Sequence, residues 1–411
     1  MGSTKRNNNF NTSNTTFHNN DIMKDGASRS DCSTQKDKLL FEEGEMPKGL
    51  REPFIRSGYR RAYSTPWQCF KSLVYLNNES FNVWSHLLTT CYFLVRFGMA
   101  ALTQSNSLLD PFNLPLLASA FGTLMLYSTS SVAHLFNSMS ERGYKICFFF
   151  DYAAVSLYTF TSSQAMFFYA RPMNTQWVIF EWPSLYLLLA ALFSFLVTYG
   201  CCKTDAAVNK FSTLLRALPA LVAWVFSTLP FTVGATLCSC HATSMSCRAF
   251  SACSNESIGY YLRHVFCTIL AGFMYSSRLP ERLFPGRFDL IGNSHHFLHL
   301  CAALATEYAF KIVELNVSYL KNENLSEETT AYVSIINTIV VAILVMFINA
   351  GILLWFAKNL RVKESVYKNY TKYIKESNVL RRRSLGSSRN LQEIDCATSV
   401  TSPKGDFAAD Y

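Results

Sequence analysis

Four of the eight histidines in this chain of 411 residues, His86, His134, His295 and His299, stand where blocks of apolar sequence begin or end. His295 and His299 are four residues apart, so on a helix they stack on one face about a turn apart. His134 brings a third imidazole from a separate segment. Three neutral imidazoles that leave a fourth position to water make the donor set of a catalytic-type zinc site. Asp151 opens another apolar block, where it can accept from that water or orient a ligand, as carboxylates beside metals do. Ser130, four residues before His134, shares its helix face and is placed to hydrogen-bond nearby. His296 points about 100° away from the pair and is the poorer ligand. Taken singly, each histidine reads more readily as an amphipathic packing residue at a membrane interface than as a ligand. The metal reading gains from a coincidence: separate helix ends bring these groups to one depth, where ionisable residues are costly and usually functional.

The elements that must position them are long apolar blocks, near 81–103, 112–136, 146–169, 177–200, 213–237, 257–277, 294–315 and 332–357. Each has about twenty residues or more, enough to cross ~30 Å of hydrocarbon as a helix. The third and seventh are the least apolar at their starts, where they carry Asp151 and the His pair. The pattern predicts an all-α integral membrane protein, a bundle of seven core transmembrane helices plus an eighth C-terminal span. Composition agrees: 16% of residues are charged, against about a quarter in soluble domains. The 33 Phe and 21 Tyr exclude a disordered chain, a coiled coil and a collagen-like fibre. The net charge of +9 sits mostly beside the apolar blocks, which points to a membrane and away from nucleic acid.

Lys and Arg in short loops set the orientation. With the N-terminus inside, the inner loops carry Arg142, Lys145, Lys203, Lys210, Arg278, Arg282 and Arg287, and the outer loops only Arg171, Arg248 and Lys321. Both termini are then cytosolic. Residues 1–40 read as a disordered cytosolic N-terminus and 41–80 as a helix-compatible cytosolic pre-membrane segment. The seven-helix core takes 81–315, an extracellular loop 316–331, the eighth span 332–357 and a basic cytosolic tail 358–411. Cys238, Cys240, Cys247 and Cys253 share one outer loop, where an oxidising space favours one or two disulfides over a thiolate metal site. Arg96, Glu181, Arg216, Arg263 and Lys311 lie near block ends and are expected to snorkel. Glu307, deeper in the seventh block, invites a cationic partner.

Three strings carry a resemblance. Asn78-Glu-Ser-Phe-Asn-Val-Trp-Ser-His86 resembles the E-x-x-N-[VI]-W-[ST]-H signature of the progestin and adipoQ receptor family. Ser130-Ser-Val-Ala-His134 is similar to its S-x-x-x-H motif, with Asp151-Tyr152 seventeen residues on. Pro280-Glu-Arg, Pro285-Gly-Arg-Phe-Asp289 and His295-His-Phe-Leu-His299 resemble its remaining series. Arg51-Glu-Pro-Phe-Ile-x-x-Gly-Tyr59 and the additional apolar span look most like the membrane progestin receptor branch. The resemblance implies zinc held by His134, His295 and His299, with Asp151 at the zinc-bound water and Ser130 beside it. His296 stands where many members have Gln, and Ser85 replaces the commoner Thr.

Three functions from different classes are open to such a chain. As a receptor in a cellular membrane, most simply the plasma membrane, it would bind a steroid or other lipid in an apolar cavity and signal to a cytosolic partner. As an enzyme it would be a zinc-dependent lipid amide hydrolase of the ceramidase type, with Asp151 and Ser130 serving zinc-bound water; the zinc can equally be a structural clamp. A transporter ranks last, since the ionisable residues cluster at one face instead of lining a path. Thr159, Thr161, Ser162, Ser163 and Gln164 in the third block are candidate ligand anchors, but most of them are expected to bond to backbone or to neighbouring helices.

Overall fold

A computed structural model of the chain describes residues 38–103, 110–172, 177–206, 212–240, 254–322 and 333–360. The expected disordered N-terminus up to residue 37 and the tail beyond residue 360 lie outside these residues. The chain divides into Met1–Leu39, of which only residues 38 and 39 are described, and a main unit Leu40–Tyr411. Among the described residues the main unit is all-helical, without a strand. Its eight long helices are α1 Ser80–Thr103, α2 Leu114–Phe136, α3 Glu141–Ala170, α4 Pro183–Ala206, α5 Ser212–Cys240, α6 Asn255–Ser277, α7 Ser294–Asn322 and α8 Val341–Asn359. Among the described residues four segments, Pro111–Phe136, Pro183–Asp205, Arg216–Leu237 and Ile336–Asn359, are long and apolar enough to cross a membrane, against the seven core spans plus one expected.

Each apolar block centres on one long helix, and local chemistry moves or splits the ends. Ser140 accepts from Gly143 N and starts α3 five residues before the apolar block. Pro183 occupies the first position of α4, where its missing N–H is no loss, so the residues before it form a separate turn, Val178–Glu181. α7 continues through Asn322 because Val317 and Leu320 stay buried against Phe112 and Phe231. Part of the stretch expected as an outer loop, 316–322, is therefore helix. The pre-membrane segment departs further from expectation. It holds only the single turns Glu43–Glu45, Lys48–Leu50 and Ser72–Val74 and a short helix, Pro66–Lys71. Pro47 and Pro53 interrupt it, and Phe54 and Gly58 adopt positive φ, 68° and 81°. At Gly58 a side chain would meet Leu290 Cδ2 at 2.5 Å, so only glycine lets the segment lie against the loop before α7.

Helix packing uses small residues and polar clamps, as membrane bundles do. Gly122 of α2 admits α3: a Cβ there would stand 2.0 Å from Thr161 Oγ1. α8 is locked in by Asn349, which accepts from Thr198 Oγ1 (2.8 Å) and donates to Ser194 Oγ (2.9 Å) on α4. Ahead of α8 lies a π-helical turn, Ile336–Val340, and Gln164 of α3 donates to the carbonyls of Asn337 and Thr338 within it. A π turn leaves carbonyls badly placed for its own helix, and Gln164 takes them up. Thr159 and Thr161 donate to carbonyls of their own helix, and Ser163 pairs with Tyr186, so most polar groups of α3 are spent on structure, as expected.

Three of the residues expected to snorkel are paired within the protein, Lys311 with Glu314 at 3.2 Å among them. Arg96 on α1 makes a bidentate pair with Glu314 on α7 (2.9 and 2.6 Å) and lies 3.7 Å from Glu307. Arg216 bonds Asp205 and the Tyr152 hydroxyl, both at 3.1 Å. Guanidinium geometry favours planar carboxylate pairing once a partner is within reach. Apolar side chains cover the outer faces instead. Leu88, Tyr92, Val95, Met99 and Leu102 make an exposed stripe along α1, and Leu262, Phe266, Ile269 and Phe273 another along α6.

Candidate metal centre

His134 lies in the last turn of α2, and His295 and His299 in the first two turns of α7. Their side chains meet: His295 Nε2 is 3.2 Å from both His134 Nε2 and His299 Nε2, and the three donor atoms lie within 4.8 Å of one another. Ligand nitrogens at 2.0–2.1 Å from a tetrahedral zinc ion would be about 3.3 Å apart. The two pairs that His295 makes have that spacing.

The outward-facing nitrogens explain why the inward ones can be bare. His134 Nδ1 lies 2.8 Å from Glu79 Oε2, and a carboxylate accepts only from N–H. His299 Nδ1 lies 2.9 Å from Ser85 Oγ, whose proton goes to the Asn82 carbonyl at 3.2 Å, so the serine oxygen accepts. Both rings are thereby held as Nδ1–H tautomers with Nε2 lone pairs turned on His295, the arrangement that carboxylates and hydroxyls impose behind metal-binding imidazoles.

Glu79 is itself held by three side chains. Asn82 Nδ2 donates to its Oε2 at 2.8 Å and Asn137 Nδ2 to its Oε1 at 2.9 Å, beside the His134 bond. Arg60, from the pre-membrane segment, fixes Asn137 through its Oδ1 (2.6 Å). It also takes the carbonyls of His134 (2.7 Å) and Leu135 (2.8 Å), which satisfies the last carbonyls of α2 with a cation. At α7 the cap is equally deliberate. Asn293 Oδ1 accepts from His295 N and His296 N, both at 3.1 Å, and Glu281 accepts from Ser294 N (2.7 Å) and from the Ser294 hydroxyl.

Asp151 lies outside the three-His cluster but lines the cavity it faces; Ser130 stands beside its carboxyl, and its buried Oδ1 has no hydrogen-bond partner among the described residues. His296 turns away, accepting from Gly292 N at 2.9 Å and packing on Phe81. His86 joins the site without entering the cluster: its ring stacks on His299 at 3.6 Å and 9°. Of the cysteines expected to pair, Cys247 and Cys253 lie outside the described residues, as do the side chains of Cys238 and Cys240.

The cavity has a volume of about 690 Å³ and walls that are mostly apolar. Along α7 its lining runs from His295 to Ala309, a rise of about 21 Å. The pre-membrane segment closes over the His end through Glu52 and Ile55. It is tied there by Ser57, which donates from N and Oγ to Asp289 at 2.7 and 2.8 Å, and by the Tyr144 hydroxyl on Glu52. Burial pushes the Glu52 carboxyl above its usual range, with Arg278 opposing the shift.

The structure brings the three His together and puts Asp151 and Ser130 on the same cavity, and it adds Glu79, Arg60, Asn137 and Ser85, which sequence reasoning did not single out for a role. Glu79 had a signal: an acidic residue directly before an apolar block, with Asn82 three residues on.

Apolar outer faces, a lipid-sized cavity and a buried His cluster at its polar end define an integral membrane protein with a candidate metal centre. A sequence model of the haemolysin-III related family matches residues 74–310, and the chain belongs to that family, which includes the progestin and adipoQ receptors. It is 36% identical to mouse (Mus musculus) membrane progestin receptor delta over 277 residues, covering 67% of this chain and 78% of the relative. Over 332 residues it is 30% identical to zebrafish (Danio rerio) membrane progestin receptor gamma-B, covering 76% and 92%. With human (Homo sapiens) membrane progestin receptor gamma the identity is 32% over 289 residues, covering 69% and 82%.

Proposed function

We propose that this chain is a multi-pass membrane receptor that binds a steroid or other lipid between its helices and carries zinc on His134, His295 and His299. The observation that carries the reading is the apolar cavity of about 690 Å³ with the His cluster at one end, within the size range of sites for lipid-sized ligands. The relatives named above are called membrane progestin receptors, which favours reception over amide hydrolysis. Zinc, when bound, supplies fixed positive charge and Lewis acidity at the polar end of the cavity. Glu79 and Ser85 hold two of the donor rings in register, and the cap on α7 orients the third. Asp151, with Ser130 beside its carboxyl, lines the same cavity next to the donor rings.

All eight helices span the membrane in this reading, with both termini cytosolic, the His cluster near the cytosolic face and the plasma membrane as location. The outward apolar stripes on α1 and α6 support it, because such faces are stable against acyl chains and not against water. Signals leave through the pre-membrane segment, which closes the cavity, to a cytosolic partner. Cys238, Cys240, Cys247 and Cys253 form disulfides on the opposite side.

The test is metal analysis and saturation binding of a labelled progestin on the purified full-length chain in lipid nanodiscs. One zinc per chain is expected, lost in His295→Ala. No zinc in either protein removes the metal assignment, and no saturable progestin binding removes the steroid receptor.

A further inference from the structure

The polar run on α3 is spent on structure with one exception. Thr159 and Thr161 donate to carbonyls of their own helix, Ser163 pairs with Tyr186, and Gln164 takes up the π turn. Ser162 makes no such bond among the described residues, and it lines the cavity together with Tyr158, one turn before it on the same face. Both residues are half-buried although α3 packs against α2, α4, α5, α7 and α8, so their accessible surface faces the cavity. Neither hydroxyl is among the sealed polar atoms of the wall, such as Asp151 Oδ1. The Tyr158 hydroxyl adjoins those of Ser162 and Thr306. Behind them the Tyr127 hydroxyl donates to Thr306 Oγ1 at 2.7 Å and lies 3.0 Å from the Ala302 carbonyl.

Three helices set the position of this hydroxyl group along the cavity. Tyr127 lies seven residues before His134 on α2, Tyr158 seven after Asp151 on α3, and Thr306 seven after His299 on α7. Seven residues make two turns, so each pair shares a helix face and is offset by about 10 Å. The lining between includes Val155, Leu298 and Ala302. The apolar cavity therefore has polar stations at both ends of that interval, the His cluster and the hydroxyls. We propose that Tyr158 and Ser162 are a second polar anchor, and that the cavity selects a rigid neutral steroid oxygenated at both ends of its ring system. The assignment rests on the receptor reading above and adds to it the ligand's functional groups. A bond between the two hydroxyls uses one proton and leaves the other free, so the pair offers a ligand a donor as well as acceptors. A ketone or hydroxyl oxygen meets that donor, while the fused rings cover the apolar interval. A lipid with a single oxygen function satisfies one station and displaces water from the other without replacing its hydrogen bonds.

The experiment is saturation binding of tritiated pregnane-3,20-dione to the full-length chain in phosphatidylcholine nanodiscs, with pregnan-3-one and pregnan-20-one as competitors. The three share a skeleton, and each monoketone lacks one oxygen. The dione is expected to bind about tenfold more tightly than either monoketone, the equivalent of one unmade buried hydrogen bond. Ser162→Ala and Tyr158→Phe each remove a hydroxyl and keep most of the packing. Each should weaken the dione about tenfold and leave at least one monoketone unchanged, the one held by its oxygen at the His end. Should one variant's melting curve shift, the other decides. Equal wild-type affinity for the three steroids, an unchanged dione affinity in the variants, or the same loss for all three steroids overturns the second anchor while leaving the receptor reading intact. No saturable dione binding to the wild type overturns both.

Discussion

Glu79→Gln is the sharpest probe of the His cluster, because it conserves shape and changes only the hydrogen-bond inventory. The carboxylate accepts from His134 Nδ1 and Asn82 Nδ2 on Oε2 and from Asn137 Nδ2 on Oε1. A glutamine can accept on one side only. With its oxygen toward His134, its NH₂ faces the Asn137 NH₂ across the 2.9 Å that now separates donor from acceptor. Asn137 cannot flip to relieve this, since its Oδ1 is held by Arg60 at 2.6 Å. The variant therefore loses one bond outright, creates a donor–donor contact, and strips the charge assistance from the His134 bond. Together these cost roughly 2–4 kcal/mol of stability. The loosened imidazole should lower zinc affinity about ten- to hundredfold, the usual penalty for removing a carboxylate behind a metal-binding histidine. Chelator competition on the purified variant, read beside its melting curve, measures both. Zinc affinity within twofold of the wild type would refute the tautomer argument.

Ser85→Ala should weaken zinc binding by about tenfold through loss of the acceptor behind His299, and Ser85→Thr should restore it in the same competition assay. Gly122→Ala drives a methyl into Thr161, 2.0 Å away, and should lower stability by about 1–3 kcal/mol; Thr161→Ala in the same chain should recover most of it in a thermal-melt comparison. Asn349→Leu leaves the Thr198 hydroxyl without its acceptor and Ser194 without a donor. A loss of about 1–3 kcal/mol is expected, measured by thermal denaturation in detergent.

Hydropathy placed a long helix on each apolar run, although among the described residues only four of those helices are long and apolar enough to cross a membrane. It fared worse at their ends. α3 begins in polar sequence under a serine cap, α7 continues because buried neighbours reward it, and α8 opens in a π turn that depends on Gln164, far away in the chain. The His pair and His134 were legible because their spacing and depth belong to single helices. Arg60 and Asn137 were not, since nothing local announces that a guanidinium 74 residues upstream will take the carbonyl of His134. The pre-membrane segment misled for the opposite reason: its composition tolerates helix, while Pro53 and the positive φ of Phe54 and Gly58 direct the chain elsewhere.

Arg60 has a mechanical consequence. Its four bonds reach Ser72, the His134 and Leu135 carbonyls and the Asn137 amide, and Asn137 grips the carboxylate that steers the His134 ring. One side chain of the covering segment thus has hold of both the backbone and, at one remove, the imidazole of a single residue. A load applied to that segment is delivered to His134 as torque, and a change in what His134 carries is felt as slack or tension in the segment.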